Sequence, residues 1–144
     1  MQIVRMTERE VPAVAVLEQE LFSMPWSKQG FLDTLAMDNV RFLVAVDEDV
    51  VCGYCGVYMA ADEGEITNVA VAPSYRRRGI AKMLMRQLID EAFELGISQI
   101  ALEVRVSNEG AILLYTQLGF VSVGVRKNFY ERPIEDAYIM LLRQ

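Results

Sequence analysis

The sequence predicts a mixed α/β fold: one sheet flanked by helices in the order βααβββαβαββ, built as a single domain over residues 1–144. Three observations predict it. The length suits one hydrophobic core, given domains of roughly 100–200 residues. Two consecutive strand-like runs joined by a short acidic turn, with a third close behind, make an antiparallel meander. After residue 71, helix-period segments alternate with strands, which lays helices against the sheet, while the antiparallel start excludes a doubly wound parallel fold. Hydrophobic residues at 53% and charged residues at 24% exclude a disordered chain.

The elements follow in order. Gln2 to Met6 is strand-like, and Thr7 with Glu10 forms a capping box before Val11, Val14, Leu17 and Leu21 at helical spacing. Pro12 is tolerated in that helix's first turn. After the loop Ser23-Met24-Pro25-Trp26, Ser27 caps a short helix carrying Phe31, Leu32 and Leu35. Arg41 to Val46 and Val50 to Ala60 are strands joined by Asp47-Glu48-Asp49, and Glu65 to Val71 is a third after Asp62-Glu63-Gly64. Gly53 and Gly56 inside the second of these predict bends, bulges or close packing by a neighbour. Pro73 ends the third, and the polar loop Ser74 to Gly79 opens a helix with Ile80, Leu84, Leu88 and Phe93 that stops at Gly96. Ile97 to Val106 is a strand. Asn108 caps a helix containing Ala111, Leu114, Tyr115 and Leu118, Gly119 ends it, and strands Phe120 to Arg126 and Ala137 to Leu142 follow.

Charge and composition restrict the chemistry. Fourteen Lys and Arg against twenty Asp and Glu give a net charge of −6, which favours cationic partners over a broad nucleic-acid surface. Histidine is absent, so Ser-His-Asp and Cys-His catalysis and the usual His-containing metal sites are excluded. No metal is expected. Cys52 and Cys55 have C-x-x-C spacing, but in a strand an odd offset sends them to opposite faces, so they are read as structural thiols. The first residues lack the charge, apolar core and cleavage pattern of a secretory leader, and no run of about 20 apolar residues occurs, so a cytoplasmic protein without a membrane partner is expected.

The most informative stretch is Asn68-Val69-Ala70-Val71-Ala72-Pro73 followed by Arg76-Arg77-Arg78-Gly79-Ile80-Ala81. A strand feeds a basic loop that opens a helix, whose unpaired N–H groups and dipole suit a pyrophosphate. The loop is neither a Walker A loop nor a G-x-G-x-x-G fingerprint. On spacing alone, three arginines before a helix also fit a solvated face.

The element order, the Arg-x-x-Gly-x-Ala run at Arg76, Gly79 and Ala81, and the later Asn108 and Tyr115 resemble the GNAT family of acetyl-coenzyme A-dependent N-acetyltransferases over nearly the whole chain. Ala81 stands where that family frequently has Gly. Met24-Pro25-Trp26-Ser27, Leu102-Glu103-Val104-Arg105, Val106-Ser107-Asn108, Leu118-Gly119-Phe120 and Arg126-Lys127-Asn128-Phe129-Tyr130 are similar to its RimI-type branch, which acetylates the N-terminal alanine of a small-subunit ribosomal protein. The resemblance implies the acyl-CoA N-acyltransferase fold, acetyl-CoA as cosubstrate, and a cofactor site of the strand backbone at Val69, Ala70 and Val71 with Arg76, Arg77, Arg78, Gly79, Ile80 and Ala81. In relatives the side chain of the residue matching Asn108 also touches the cofactor.

Two residues carry the expected chemistry. An α-ammonium group has a pKa of about 7.7–8.0, so a single nearby base suffices to free the amine. Glu103, in Ala101-Leu102-Glu103-Val104-Arg105, suits that role if burial raises its pKa; otherwise it is a surface carboxylate on an edge strand. Its neighbours Leu102 and Val104 face the other way and do not decide the matter. Tyr115, seven residues after Asn108 and so on the same side of its helix, is either the acid that protonates the departing thiolate or an aromatic packing residue, and the resemblance favours the acid. Trp26, Phe129 and Tyr130 are core or loop anchors or, as functional residues, walls of a slot for the peptide end. The acidic groups Asp47-Glu48-Asp49, Asp62-Glu63 and Glu135-Asp136 read as solvated turns, and the negative excess would steer a basic ribosomal protein inward. Direct transfer in a ternary complex is expected, since no activated nucleophile is available for a covalent route. The alternatives are the same transfer to a polyamine or aminoglycoside, a non-catalytic acyl-CoA-binding module, and a nucleic-acid contact at Arg76 to Arg78; direct nucleic-acid binding is not expected.

Overall fold

The computed structural model describes residues 1–144 and has the predicted element order. The elements are β1 (Gln2–Arg5), α1 (Val11–Leu21), α2 (Lys28–Leu35), β2 (Val40–Asp47), β3 (Val50–Ala60), β4 (Glu63–Val71), α3 (Ile80–Glu94), β5 (Gln99–Arg105), α4 (Glu109–Gln117), β6 (Val121–Tyr130) and β7 (Glu135–Arg143). All seven strands share one sheet in the order β1-β2-β3-β4-β5-β7-β6, antiparallel throughout except for β4 with β5. Helices cover both faces, so central β3 is buried without alternation from Cys52 to Val57. Val11, Val14 and Leu17 of α1 and Phe31 of α2 pack on Phe42, Val44 and Tyr54 on one face. On the other, Leu84, Met85 and Leu88 of α3 and Tyr115 of α4 cover Leu43, Val57, Ile100 and Leu102. No helix is long and apolar enough to cross a membrane.

The caps form as their residue types predict: Ser27 Oγ accepts from Gly30 N–H at 3.0 Å, and Asn108 Oδ1 accepts from Ala111 N–H at 3.2 Å. Thr7 N–H likewise donates to Glu10 Oε1 at 2.8 Å, but this box closes a turn that precedes α1. Pro12 has no N–H to donate, which delays the regular helical ladder.

The thiols depart from expectation. Cys52 and Cys55 are both free, as read, but they lie in the same core cluster and not on opposite faces. Cys52 is the extra residue of a bulge: Ala45 pairs with Gly53 and Val46 with Val51, leaving Cys52 without a partner, and strict alternation fails there. Gly56 meets the expectation of close packing, because a Cβ at this position would collide with the Phe42 ring. Gly56→Ala should cost about 1–3 kcal/mol through overpacking, read as a lower urea midpoint at unchanged slope.

The break that positions the site lies between β4 and β5. They pair only where Glu63, Gly64 and Glu65 face Gln99, Ile100 and Ala101. Beyond that both strands continue, to Val71 and Arg105, with no partner across the gap. The divergence begins at a second bulge, where Val57 pairs with Ile66 and Gly56 with Asn68, so Thr67 is extra and β4 bends away.

Candidate active site

A cavity of about 640 Å³ opens where the two strands part. Its walls begin one residue past the last strand pair: Ile66 to Val69 from β4 and Leu102 to Arg105 from β5. The α1–α2 loop, α4 and the end of β6 complete it with Trp26, Asn108, Tyr115, Phe129 and Tyr130.

On β5, Leu102 and Val104 are buried in the core, so the pleat turns Glu103 to the opposite face, as its spacing requires. At Glu103 the strand is paired with β7 on one side and borders the gap on the other, yet only 15% of the Glu103 side chain is exposed. Burial, reinforced by the Glu65 carboxylate on β4, holds its carboxyl above the ordinary glutamate range. Arg126 opposes the shift from 3.6 Å, but its side chain is 57% exposed and the pair is solvent-screened.

Tyr115 is buried on α4, its ring 6.0 Å from that of Phe120. Burial, then the neighbouring Tyr130, raises its phenol well above the usual tyrosine value, so it keeps its proton throughout the neutral range. Packing and cavity lining coexist in this residue. Trp26 is similar, packing 5.2 Å from Phe31 and 6.1 Å from Phe42 while lining the cavity. Phe129 and Tyr130 stand edge to face at 4.9 Å.

The hairpin that carries those two rings differs from the sequence reading. β6 runs on past Arg126 to Tyr130, and Glu135 and Asp136 are not merely solvated. Arg105 donates to Glu135 Oε1 at 3.2 Å and to the Glu131 and Pro133 carbonyls, and stacks 4.4 Å from the Tyr130 ring centre. Ser107 N–H donates to Glu135 Oε2 at 2.7 Å, and Asn128 N–H to Asp136 Oδ1 at 2.8 Å. These bonds to Ser107 and Arg105 hold the Glu135 carboxyl below its ordinary range. Asp62 is similarly engaged, accepting from Ser98 Oγ at 2.8 Å.

Of the residues expected to hold a cofactor, Val69 and Asn108 line the cavity. Ala70, Val71 and Arg76 to Ala81 continue from β4 outside its lining, into the loop that opens α3. There Arg77 has φ 66° and Gly79, the N-cap of α3, has φ 74° with no capping side chain. The ladder inside α3 opens with Met83 N–H to Gly79 O at 3.0 Å, so the earlier N–H groups of the helix have no helical partner. Left-handed residues on both sides of Arg78 bend the chain at the positive end of a helix, a geometry that suits an anion. The arginines are partly committed: Arg76 Nε donates to Val71 O at 3.4 Å, and Arg78 lies 4.9 Å from the Tyr75 ring centre.

Three polar residues here were given no role of their own by the sequence. Asn68 is buried beside the β4 bulge and accepts from Thr67 Oγ1 at 2.7 Å. Arg105 pins the hairpin, and Glu18 is buried in α1 yet lines the cavity. Glu18 had a legible signal, a carboxylate four residues after Val14 on the apolar stripe.

The chain resembles known proteins in sequence and in overall fold. A family model described as "Acetyltransferase (GNAT) family" matches residues 11–120. The [ribosomal protein bS18]-alanine N-acetyltransferase of Salmonella typhimurium is 36% identical over 135 residues, 92% of this chain and 90% of the relative. The N-alpha-acetyltransferase RimI of Mycobacterium tuberculosis is 33% identical over 141 residues, 94% and 87% of the two chains. The crystal structure of the ribosomal-protein-S18-alanine N-acetyltransferase from Escherichia coli superposes with a TM-score of 0.91 at 32% identity, covering 99% of this chain and 92% of that one.

Proposed function

Because the chain belongs to the acetyltransferase (GNAT) family, we propose that it transfers an acetyl group from acetyl-CoA to the N-terminal alanine of a small ribosomal subunit protein, in the cytoplasm. The observation that carries this reading is the convergence of Glu103 and Tyr115 on one cavity at the parting of β4 and β5. The residues fit the cosubstrate: unpaired strand edges accept an extended arm, and the free N–H groups and left-handed Gly79 at the start of α3 suit its pyrophosphate. Acetyl-CoA, when bound, supplies an acyl thioester open to attack by an amine.

The protein's own residues do the rest. Glu103, held above the usual carboxylate range, takes the proton of the incoming ammonium directly or through water. A β4 amide between Val69 and Val71 donates to the acyl oxygen as charge develops there. Tyr115 gives its proton to the departing sulfur and regains one from the nitrogen that has become acylated. Asn108 caps α4 and so sets the direction from which Tyr115 enters, and its side chain is available to the cofactor arm. Trp26, Phe129 and Tyr130 form the apolar walls of the peptide slot, and the net charge of −6 draws a basic protein toward it.

A panel of peptides and small amines tests the assignment. Peptides starting with alanine and carrying basic residues should exceed polyamines and aminoglycosides in kcat/KM by a wide margin. Preference for the small amines would transfer the activity to that class. Mass spectrometry of protein N-termini from cells lacking the chain should show one ribosomal protein newly unacetylated.

A further inference from the structure

Glu18 is the one carboxylate buried to 3% exposure, and no catalytic step uses it. It sits on the inner face of α1 among Val14 and Leu17, where a charge is costly unless its oxygens are bonded. Both are. Oε1 accepts from the Tyr54 hydroxyl of β3 at 2.6 Å, and Oε2 accepts from the Trp26 backbone N–H at 3.0 Å. The second bond spans eight residues, from the helix to the far end of the loop that follows it.

We propose that Glu18 is a positioning residue: its carboxylate ties Trp26, and with it the α1–α2 loop, to Tyr54 of the central strand, and so holds the substrate-side wall of the cavity in place. A carboxylate suits this because the two groups to be joined are both donors, and one acceptor at each oxygen bridges them. The loop otherwise presents Phe22 and Met24 to solvent at 40% and 56% exposure, so Trp26 is where it is anchored. Charge-assisted bonds of this kind are the strong ones, and the sheet end of the link is rigid because Tyr54 is fully buried.

The inference extends the acetyl-transfer reading in its kinetic consequence but not in its spectroscopic one. Trp26 is the only tryptophan, so intrinsic fluorescence reports this loop directly. Glu18→Ala should increase acrylamide quenching of Trp26, raise KM for the amine substrate by about 10–100-fold, and leave KM for acetyl-CoA and the pH profile unchanged. Glu18→Gln should restore most of both readouts, since the Tyr54 hydroxyl can turn to accept from the amide while the amide oxygen keeps the Trp26 bond. Unchanged quenching in Glu18→Ala would overturn the proposal. So would a Glu18→Gln protein as impaired as the alanine variant, which would make Glu18 a charge contact for the substrate. If Glu18→Ala fails to fold by circular dichroism, Tyr54→Phe, which removes one of the two ties, decides: increased Trp26 quenching supports the proposal and unaltered quenching overturns it. Lack of turnover with any amine in the wild-type protein, with the quenching effects present in the variants, would count against the acetyl-transfer reading alone.

Discussion

Glu103→Gln should lower kcat/KM for the amine substrate by about 10²–10⁴-fold, the usual share of one positioned base. The amide keeps the size and position of the side chain and loses only the ability to take a proton. The pH profile separates this from a binding defect. A base acts in its ionised form, so wild-type kcat/KM should fall as pH drops through the Glu103 pKa, and that limb should lie above the ordinary glutamate range because burial and Glu65 raise it. In Glu103→Gln the limb should disappear. Stability should move the opposite way. A carboxyl whose folded pKa is raised favours the native state in its protonated form, an advantage complete below the ordinary glutamate value and lost as pH rises through the raised one. Near neutrality the ionised carboxylate therefore weighs against folding, and Glu103→Gln should melt higher than wild type, with the gap closing toward acid pH. The exposed Arg126 pair, lost in the variant, offsets little of this. Activity that survives the substitution would remove Glu103 from the chemistry.

For Glu103 and Tyr115 only the facing was legible from local periodicity; their roles as base and acid were implied by the family resemblance, since the residues alone fitted a surface carboxylate and a packing aromatic at least as well. The two-residue repeat of β5 fixes which face Glu103 takes, and the seven-residue interval from the Asn108 cap fixes the direction of Tyr115. Bulges are not written that way. The extra residues Cys52 and Thr67 are defined only by the strands opposite, so alternation misplaced the thiols and gave no hint of where β4 turns from β5. The hairpin after Arg126 failed for a similar reason: its length is set by Arg105 and Ser107, 28 residues or more away in sequence from Pro133 and Glu135. A pair of carboxylates in a turn between strands reads as solvated until its distant partner is known.

Tyr115→Phe should reduce kcat by about 10²-fold or more while leaving thermal stability and KM for acetyl-CoA nearly unchanged. Most buried tyrosines would behave differently, because removing a hydroxyl that bonds within the core leaves its partner unsatisfied and lowers stability. Tyr54, bonded to Glu18 at 2.6 Å, is the internal contrast. The Tyr115 ring is packed against Phe120, while its hydroxyl makes no hydrogen bond within the chain and is not a fully buried unpartnered atom, so it keeps access to solvent on a residue that lines the cavity. Phenylalanine keeps the ring and its burial and removes only the proton donor. Since burial holds the phenol above the usual tyrosine range, the wild-type rate should show no alkaline loss from Tyr115 near neutrality, and the variant should be depressed by the same factor at every pH there. Acyl donors with a more acidic thiol need less help in leaving, so the deficit should shrink with an aryl thioester in place of acetyl-CoA. A deficit of equal size with both donors would make Tyr115 a wall of the cavity and place the acid elsewhere.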